Sequence, residues 1–110
     1  MKLFTKDIEK QLQNQYEKGS DLEKQKVVAK IFNHYGAGTW YLLNQDPEDP
    51  DYIWCIAKLF EVEIGSVSKS ELENLRVNVF GINLGLERDL YFKPINAKEC
   101  YDRLIKGKHI

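Results

Sequence analysis

The sequence has no surplus of either charge. Its 110 residues include 16 Lys and Arg and 17 Asp and Glu, which gives a formal net charge of -1. A domain that binds nucleic acid mainly by neutralising phosphates needs an excess of basic residues, and a DNA mimic needs an excess of acidic ones. The balance therefore argues against nucleic acid as a partner. The content of 43% hydrophobic and 30% charged residues is typical of one globular domain, here residues 1–110.

Cysteine and histidine are scarce. The chain contains Cys55, Cys100, His34 and His109, and none of them belongs to a closely spaced cluster. A disulfide framework or a zinc motif needs such clusters. We therefore expect no cofactor and interpret both cysteines as buried, inert thiols.

Long hydrophobic runs are also missing. No segment approaches the roughly 20 apolar residues that span a bilayer. The N-terminus turns polar after Phe4 instead of opening the apolar core of a signal peptide. From these features we expect a cytoplasmic protein without a membrane segment.

Three segments begin at a residue that can cap a helix: Thr5, Ser68 and Asn96. After Ser68 and after Asn96 a glutamate follows three positions later, which is the spacing of a capping box. The predicted helices cover residues 6–18, 69–75 and Asn96 to about Lys106.

Runs of β-branched and aromatic residues separate these helices and predict strands. The predicted strands cover residues 26–35, 39–43, 52–64 and 86–92, with Gly65 bending the third strand or starting a short fourth, while 44–51 is a loop and 76–85 is irregular. Strands that are adjacent in sequence favour antiparallel pairing. We therefore predict an α+β fold: a mainly antiparallel sheet of four or five strands, with an N-terminal, a short middle and a C-terminal helix packed on one face.

The loop between the second and third predicted strands is strongly acidic. Its carboxylates are Asp46, Glu48, Asp49 and Asp51. Pro47 and Pro50 restrict the backbone, which predicts a stiff loop. Such a loop can bind a hard cation, contact a basic partner or stay solvated, although two prolines without a nearby glycine do not match a calcium-binding loop.

Arg88 stands in the last predicted strand, on the face that the alternation pattern assigns to apolar side chains. A guanidinium directed at a core needs a partner, because arginine cannot lose its charge. We predict that Arg88 pairs with Asp46, Asp49 or Asp51 and fixes the acidic loop to the sheet. In the alternative, Arg88 faces a cleft and binds an anionic group.

Glu87 and Asp89 lie on the opposite face of that strand. Their expected separation of about 6 to 7 Å can bracket a metal ion or a water molecule. Solvated surface carboxylates are the alternative interpretation.

Four segments of the chain together resemble a known family. They are KVVAKIF, GTWYLLNQDPEDPD, SVSKSELENLR and LGLERDLYFKP, in this order. Over about residues 1–94 they resemble a small bacterial domain of unknown function, number twenty-nine fifty-eight. The resemblance implies a cytoplasmic accessory protein of the kind found on plasmids and conjugative elements, and it implies no particular activity. Tyr91 stands where the family commonly has histidine, so the resemblance does not imply a general base there.

The charged residues are not accompanied by a nucleophile and base at a diagnostic spacing. We therefore predict a non-enzymatic interaction module that binds another protein. The predicted contact surface comprises Asp46, Glu48, Asp49, Asp51, Glu87, Arg88 and Asp89. The main alternative is a metal-dependent hydrolase or nuclease that uses the same carboxylates. A nucleic-acid binder with stacking aromatics and a basic C-terminal tail is a weaker third alternative. The pattern does not determine the oligomeric state.

Overall fold

The computed structural model describes residues 2–110. Each helix begins at its predicted cap. The side chains of Thr5, Ser68 and Asn96 accept hydrogen bonds from the backbone N–H three residues later, at 3.1, 3.3 and 3.1 Å. The helices are α1 (Lys6–Asn14), α2 (Lys69–Asn74) and α3 (Ala97–Ile105), and a 3₁₀ turn (Tyr16–Lys18) follows α1. The first helix is thus shorter than predicted. No helix within residues 2–110 has the length and apolar character needed to cross a membrane.

Nine strands form three sheets within residues 2–110. They are β1 (Lys26–Val27), β2 (Ala29–Phe32), β3 (Thr39–Gln45), β4 (Tyr52–Lys58), β5 (Val62–Ser68), β6 (Arg76–Val79), β7 (Ile82–Gly85), β8 (Glu87–Arg88) and β9 (Ile95–Asn96). The central sheet has the order β5-β4-β3-β2-β8, and all of its neighbours are antiparallel. β1 pairs with β9, and β6 pairs with β7. The predicted α+β class and antiparallel sheet are confirmed.

Helices cover both faces of the central sheet. Leu42 of β3 packs in a cluster with side chains of α1 and α2. Its neighbours Tyr41 and Leu43 point the other way and pack with Leu104 of α3. The prediction that all helices lie on one face is therefore wrong. A continuous apolar run in β3 is what burial on both faces requires.

The long apolar run of residues 52–64 forms two strands rather than one. A tight bend at 59–61 separates β4 from β5, which pair without interruption from Tyr52 with Ser68 to Lys58 with Val62. Gly65 lies in the middle of β5 and does not bend it. The bend contains neither glycine nor proline, so the sequence carries no turn signal at the position where the chain reverses.

Three further segments differ from prediction. Asn44 and Gln45, assigned to the acidic loop, extend β3 past a register shift and are fully buried. Residues 76–85 form the β6–β7 hairpin rather than irregular chain. The last predicted strand is reduced to β8, because the Asp89 carboxylate accepts a hydrogen bond from the Tyr91 N–H at 2.9 Å and turns the chain.

The acidic loop and β8 lie towards opposite ends of the central sheet. The loop follows Gln45, whereas Arg88 pairs with Ile31, which pairs with Trp40 near the start of β3. From Trp40 to Gln45 the strand extends about 17 Å at about 3.4 Å per residue. Residues of the loop and of β8 therefore do not form one continuous surface.

Candidate functional site

The acidic loop (residues 46–51) is closed by its own backbone and by one of its carboxylates. The Asp46 N–H donates to the Tyr52 carbonyl at 3.1 Å, and the Tyr52 N–H donates to the Asp49 carbonyl at 2.9 Å. The Asp46 carboxylate accepts a hydrogen bond from the Glu48 N–H at 2.9 Å. Asp46 therefore shapes the loop from within.

Asp51 connects the acidic loop to α2. Its Oδ1 accepts a hydrogen bond from the Ser70 N–H at 2.8 Å, and its Oδ2 accepts one from the Ser68 hydroxyl at 2.6 Å. The Lys69 N–H donates to the Asp51 carbonyl at 2.9 Å. The hydrogen bonds from Ser68 and Ser70 hold the pKa of the Asp51 carboxyl below its ordinary value. Asp51 thus acts as a second cap for the helix that Ser68 begins.

Gln45 holds the base of the acidic loop from inside the protein. Its side-chain amide donates to the Pro50 carbonyl at 2.6 Å and to Glu9 Oε1 at 3.1 Å. Its oxygen accepts a hydrogen bond from the Gln13 amide at 3.0 Å. A fully buried amide with these partners fixes the loop to α1, because breaking the bonds would leave polar groups buried without partners.

An ion pair lies beside this amide. Lys69 Nζ is 2.6 Å from Glu9 Oε1, and both side chains are largely shielded from solvent. Burial by itself favours the neutral form of Glu9, but hydrogen bonds from Lys69 and Gln45 outweigh it and lower the pKa of Glu9. The pair links α1 to the start of α2.

Two further buried amides, Asn44 and Gln25, lie next to each other at the register shift in β3. The Asn44 amide donates to Gln25 Oε1 at 2.8 Å and to the Gly19 carbonyl at 2.9 Å. The Gln25 amide donates to the carbonyls of Gly19 and Asp21 at 2.9 and 2.8 Å. These bonds fix the segment after the 3₁₀ turn. Sequence reasoning missed all three amides. Asn44 and Gln45 precede a proline-rich segment, which is usually loop, and Gln25 ends a polar connection between predicted elements.

Glu48 and Asp49 differ from the other two carboxylates of the acidic loop in their lack of partners in the described part of the chain. Both residues are exposed. Within residues 2–110 neither side chain has a hydrogen-bond or ion-pair partner. The negative charge of the loop also affects Tyr16: its own burial and the nearby charges of Asp46 and Glu48 raise the pKa of its hydroxyl. The loop therefore presents two negative charges on a braced backbone.

Arg88 does not pair with the acidic loop. Its guanidinium donates to the main-chain carbonyls of Lys2 and Leu3 at 2.7 and 2.9 Å. No ion pair joins it to Asp46, Asp49 or Asp51 in the described part of the chain. The prediction that Arg88 fixes the loop is wrong: the N-terminal segment supplies its acceptors, and alternation along a strand contains no information about that segment.

Glu87 and Asp89 have separate basic neighbours. Glu87 lies 3.3 Å from His34 Nδ1, and Asp89 lies 4.0 Å from Lys30 Nζ. Across residues 2–110 no group of three or more His, Cys, Asp or Glu side chains is arranged to hold a metal ion. The two carboxylates thus contact different basic side chains, Lys30 in β2 and His34 just after it.

The surface concavities separate the predicted site residues. Asp49 and Asp51 line a cleft of about 280 Å³ with Ser66 and Glu71. Arg88 and Asp89 line another cleft, of about 180 Å³. A groove of about 360 Å³, which the sequence did not predict, lies between the β6–β7 hairpin and the sheet and is lined by Leu3, Tyr35, Glu73, Arg76, Leu84 and Glu87. The acidic loop and Arg88 share no pocket among these.

The two thiols lie away from all of these surfaces. Burial raises the pKa of Cys55 to about 12 and that of Cys100 to about 11. For Cys100 burial outweighs the nearby positive charges of Arg103 and Lys30, which lower the pKa. Neither is a thiolate at neutral pH, so neither is placed to act as a nucleophile.

A family model described as "Protein of unknown function (DUF2958)" matches residues 3–106. The chain belongs to this family. The DUF2958 match includes the acidic loop, β8 and all three helices, so it extends beyond the segments whose motifs carry the resemblance. Neither a curated protein nor a solved structure matches the chain.

Proposed function

We propose that this DUF2958 protein is a non-enzymatic interaction module whose acidic loop binds a basic surface on another protein. One observation carries the proposal: Asp46 and Asp51 brace the loop through hydrogen bonds, while Glu48 and Asp49 face solvent without protein partners within residues 2–110. The function of the braced loop is to present these two charges in a fixed geometry.

A rigid acidic loop suits recognition for two physical reasons. Ordering a flexible loop on binding costs conformational entropy, and a loop held by Gln45, Asp46 and Asp51 has already lost that freedom. Opposite charges also accelerate encounter and select against partners of like charge. The partner we propose therefore presents Lys or Arg side chains.

Glu87, Arg88 and Asp89 were predicted to belong to the same surface. Their contacts with His34, Lys30 and the N-terminal carbonyls occupy them within the fold, and they lie far from the loop along the sheet. We therefore restrict the proposed contact surface to the acidic loop, with Glu48 and Asp49 as its contacting residues.

The resemblance noted in the sequence supports a wider setting for the proposal. We propose a cytoplasmic accessory role in a bacterium, associated with plasmids or conjugative elements. In that setting the partner is another protein, and the affinity falls as salt screens the charges.

The test is a charge reversal at Glu48→Lys and Asp49→Lys. Wild-type protein on a resin should retain a specific bacterial protein, which is identified, purified and titrated calorimetrically. The double variant should bind this protein at least about tenfold more weakly with an unchanged Tm, because both side chains lack structural contacts. A control with Glu23→Lys and Glu61→Lys carries the same change in net charge at exposed positions outside the loop. Equal binding by the two double variants would refute the proposal.

The metal-dependent alternative has its own test. If the acidic loop binds Mg²⁺, Mn²⁺ or Ca²⁺, the ion should raise the Tm by mass action, and the Glu48→Gln and Asp49→Asn variant should abolish that rise. Such a result would favour the hydrolase over the interaction module. We expect no ion-dependent change in Tm.

A further inference from the structure

The central sheet has one protected edge and one unprotected edge. At one edge β8 contains only Glu87–Arg88, and the bonds from Arg88 to the carbonyls of Lys2 and Leu3 bring the N-terminal segment against it. At the other edge β5 presents seven residues, Val62–Ser68. Natural sheets usually protect such an edge with lysine, proline, a bulge or a short strand. β5 has no lysine or proline, and its register with β4 is continuous.

The hydrogen-bond pattern shows which peptide groups of β5 face outward. The Lys69 N–H donates to the Asp51 carbonyl, so Ser68 and Tyr52 form a non-hydrogen-bonded pair. Because pairs alternate along an antiparallel ladder, every second residue of β5 directs its N–H and C=O away from β4. Besides Ser68, which is the N-cap of α2, these residues are Val62, Ile64 and Ser66. Among the residues that the structure describes, none hydrogen-bonds to the outward groups of these three.

Gly65, the middle residue of β5, has no role that the fold of one chain explains. A Cβ added there would meet no atom within 4 Å, and its φ is not among the positive ones. Glycine in a strand interior lowers stability, and it often marks a bulge or a close approach of another backbone. The continuous register excludes the bulge. A missing side chain here also leaves the outward peptide groups of Ile64 and Ser66 uncovered.

We propose that β5 pairs antiparallel with β5 of a second copy of this chain, which joins the two central sheets into one. Complete overlap of the strands places the two-fold axis at Gly65 and sets Ile64 opposite Ser66 of the second copy. Both residues have outward peptide groups, so each such pair can exchange its hydrogen bonds. The one ionisable residue of β5, Glu63, then lies opposite Val67, and no like charges meet. The contact is isologous and closes at a dimer.

The dimer is weak because strand pairing alone forms the contact. Two strands of seven residues bury less than a standard interface of about 1,600 Å². We therefore expect a dissociation constant on the order of 0.1 mM. The proposed pairing uses the backbone of β5 and not the side chains of Glu48 and Asp49, so this proposal does not depend on the proposed function.

The experiment is sedimentation equilibrium of the full chain up to about 1 mM, a range set by the expected affinity. The apparent mass should rise from 12.9 kDa towards that of a dimer. Ser66→Pro removes one outward N–H but no bond to β4, and Ile64→Lys adds an edge charge; each should weaken association at least about tenfold. Both variants should keep the wild-type far-UV circular dichroism and a cooperative unfolding transition.

Hydrogen exchange gives the second readout. The Ile64 and Ser66 amides should gain protection as the concentration rises, whereas the Gly65 amide, bonded to β4, should be protected throughout. Phe80→Asn, on the fully exposed tip of the β6–β7 hairpin, is the control and should leave association unchanged. A monomer at every concentration would overturn the proposal. The β5 edge would then be available for pairing with a strand of another protein. Association that Phe80→Asn abolishes and Ser66→Pro leaves intact would also overturn it.

Discussion

The carboxylate of Asp51 accepts a hydrogen bond from the backbone N–H of Ser70 at 2.8 Å, which fixes the first turn of α2 to the acidic loop. The residue was predicted as part of a charged surface, yet its oxygens are used within the fold. The same loop therefore contains carboxylates with structural roles and carboxylates that are available for binding.

Asp51→Ala should lower the Tm by a few degrees, because the Ser70 N–H and the Ser68 hydroxyl lose their acceptor. Asp51→Asn retains one oxygen acceptor, so its Tm should fall between those of the wild type and Asp51→Ala. Asp49→Ala is the matched control, since its exposed side chain is outside these contacts, and it should leave the Tm unchanged. Thermal unfolding followed by circular dichroism is the measurement. Equal Tm values for Asp51→Ala and Asp49→Ala would contradict this assignment.

Gln45→Ala should destabilise the protein by about 2 to 3 kcal/mol, because Pro50, Glu9 and Gln13 lose a buried partner and a cavity forms. Gln13→Ala removes one of these bonds and should cost about 1 kcal/mol. Denaturant unfolding measures both changes. Gln45→Ala should also accelerate hydrogen exchange in the acidic loop. Retained loop protection in Gln45→Ala would show that this side chain does not hold the loop.

The Glu9–Lys69 ion pair should make stability depend on pH. The pKa of Glu9 is lowered in the fold from its ordinary 4.5, so the charged form stabilises the native state at pH values above 4.5. That contribution is lost as pH falls through the lower folded-state pKa. A double-mutant cycle with Glu9→Gln and Lys69→Gln should give a coupling of about 1 kcal/mol at pH 7, because Lys69 Nζ lies 2.6 Å from Glu9 Oε1. The coupling should disappear in strong acid, and a constant value from pH 7 to strong acid would exclude this origin.

Phe80→Asn should stabilise the protein by about 1 kcal/mol. Phe80 has φ +52° at a fully exposed position of the two-residue turn between β6 and β7, and Gly81 follows with φ +84°. Asparagine adopts this left-handed conformation more readily than a bulky aromatic residue. Gly81→Ala should have the opposite effect, since alanine is strained at that φ. Denaturant unfolding that ranks Phe80→Asn below the wild type would contradict the argument.

Local chemistry explains why the helix starts could be predicted. Thr5, Ser68 and Asn96 each satisfy a backbone N–H three residues later, and this interaction requires no other part of the chain. The antiparallel sheet could be predicted for a similar reason, because its strands follow one another in sequence. The bend at 59–61 could not be located because it lacks turn residues. The hairpin at 76–85 was missed although Val77, Val79, Ile82 and Leu84 mark an alternating pattern, because the two glycines of this segment also suit irregular chain.

The candidate site also combines features that the sequence predicts with features that depend on distant contacts. The acidic composition and stiffness of residues 46–51 follow from the sequence. Which carboxylates have partners within the fold does not, because the donors to Asp51 come from Ser68 and Ser70, which are distant in sequence. Arg88 is the clearest case: the charge needed a partner, as predicted, but the carbonyls of Lys2 and Leu3 lie more than eighty positions away along the chain.

The order of residues by itself determined the helix caps, the α+β class and the presence of one acidic, proline-containing loop, since each depends on neighbours within a few positions. Only the tertiary structure decided that α3 lies opposite α1 and α2, that Asn44 and Gln45 are buried, and that β5 is an open edge. These features depend on contacts between distant segments, where packing and buried hydrogen bonds outweigh local preference.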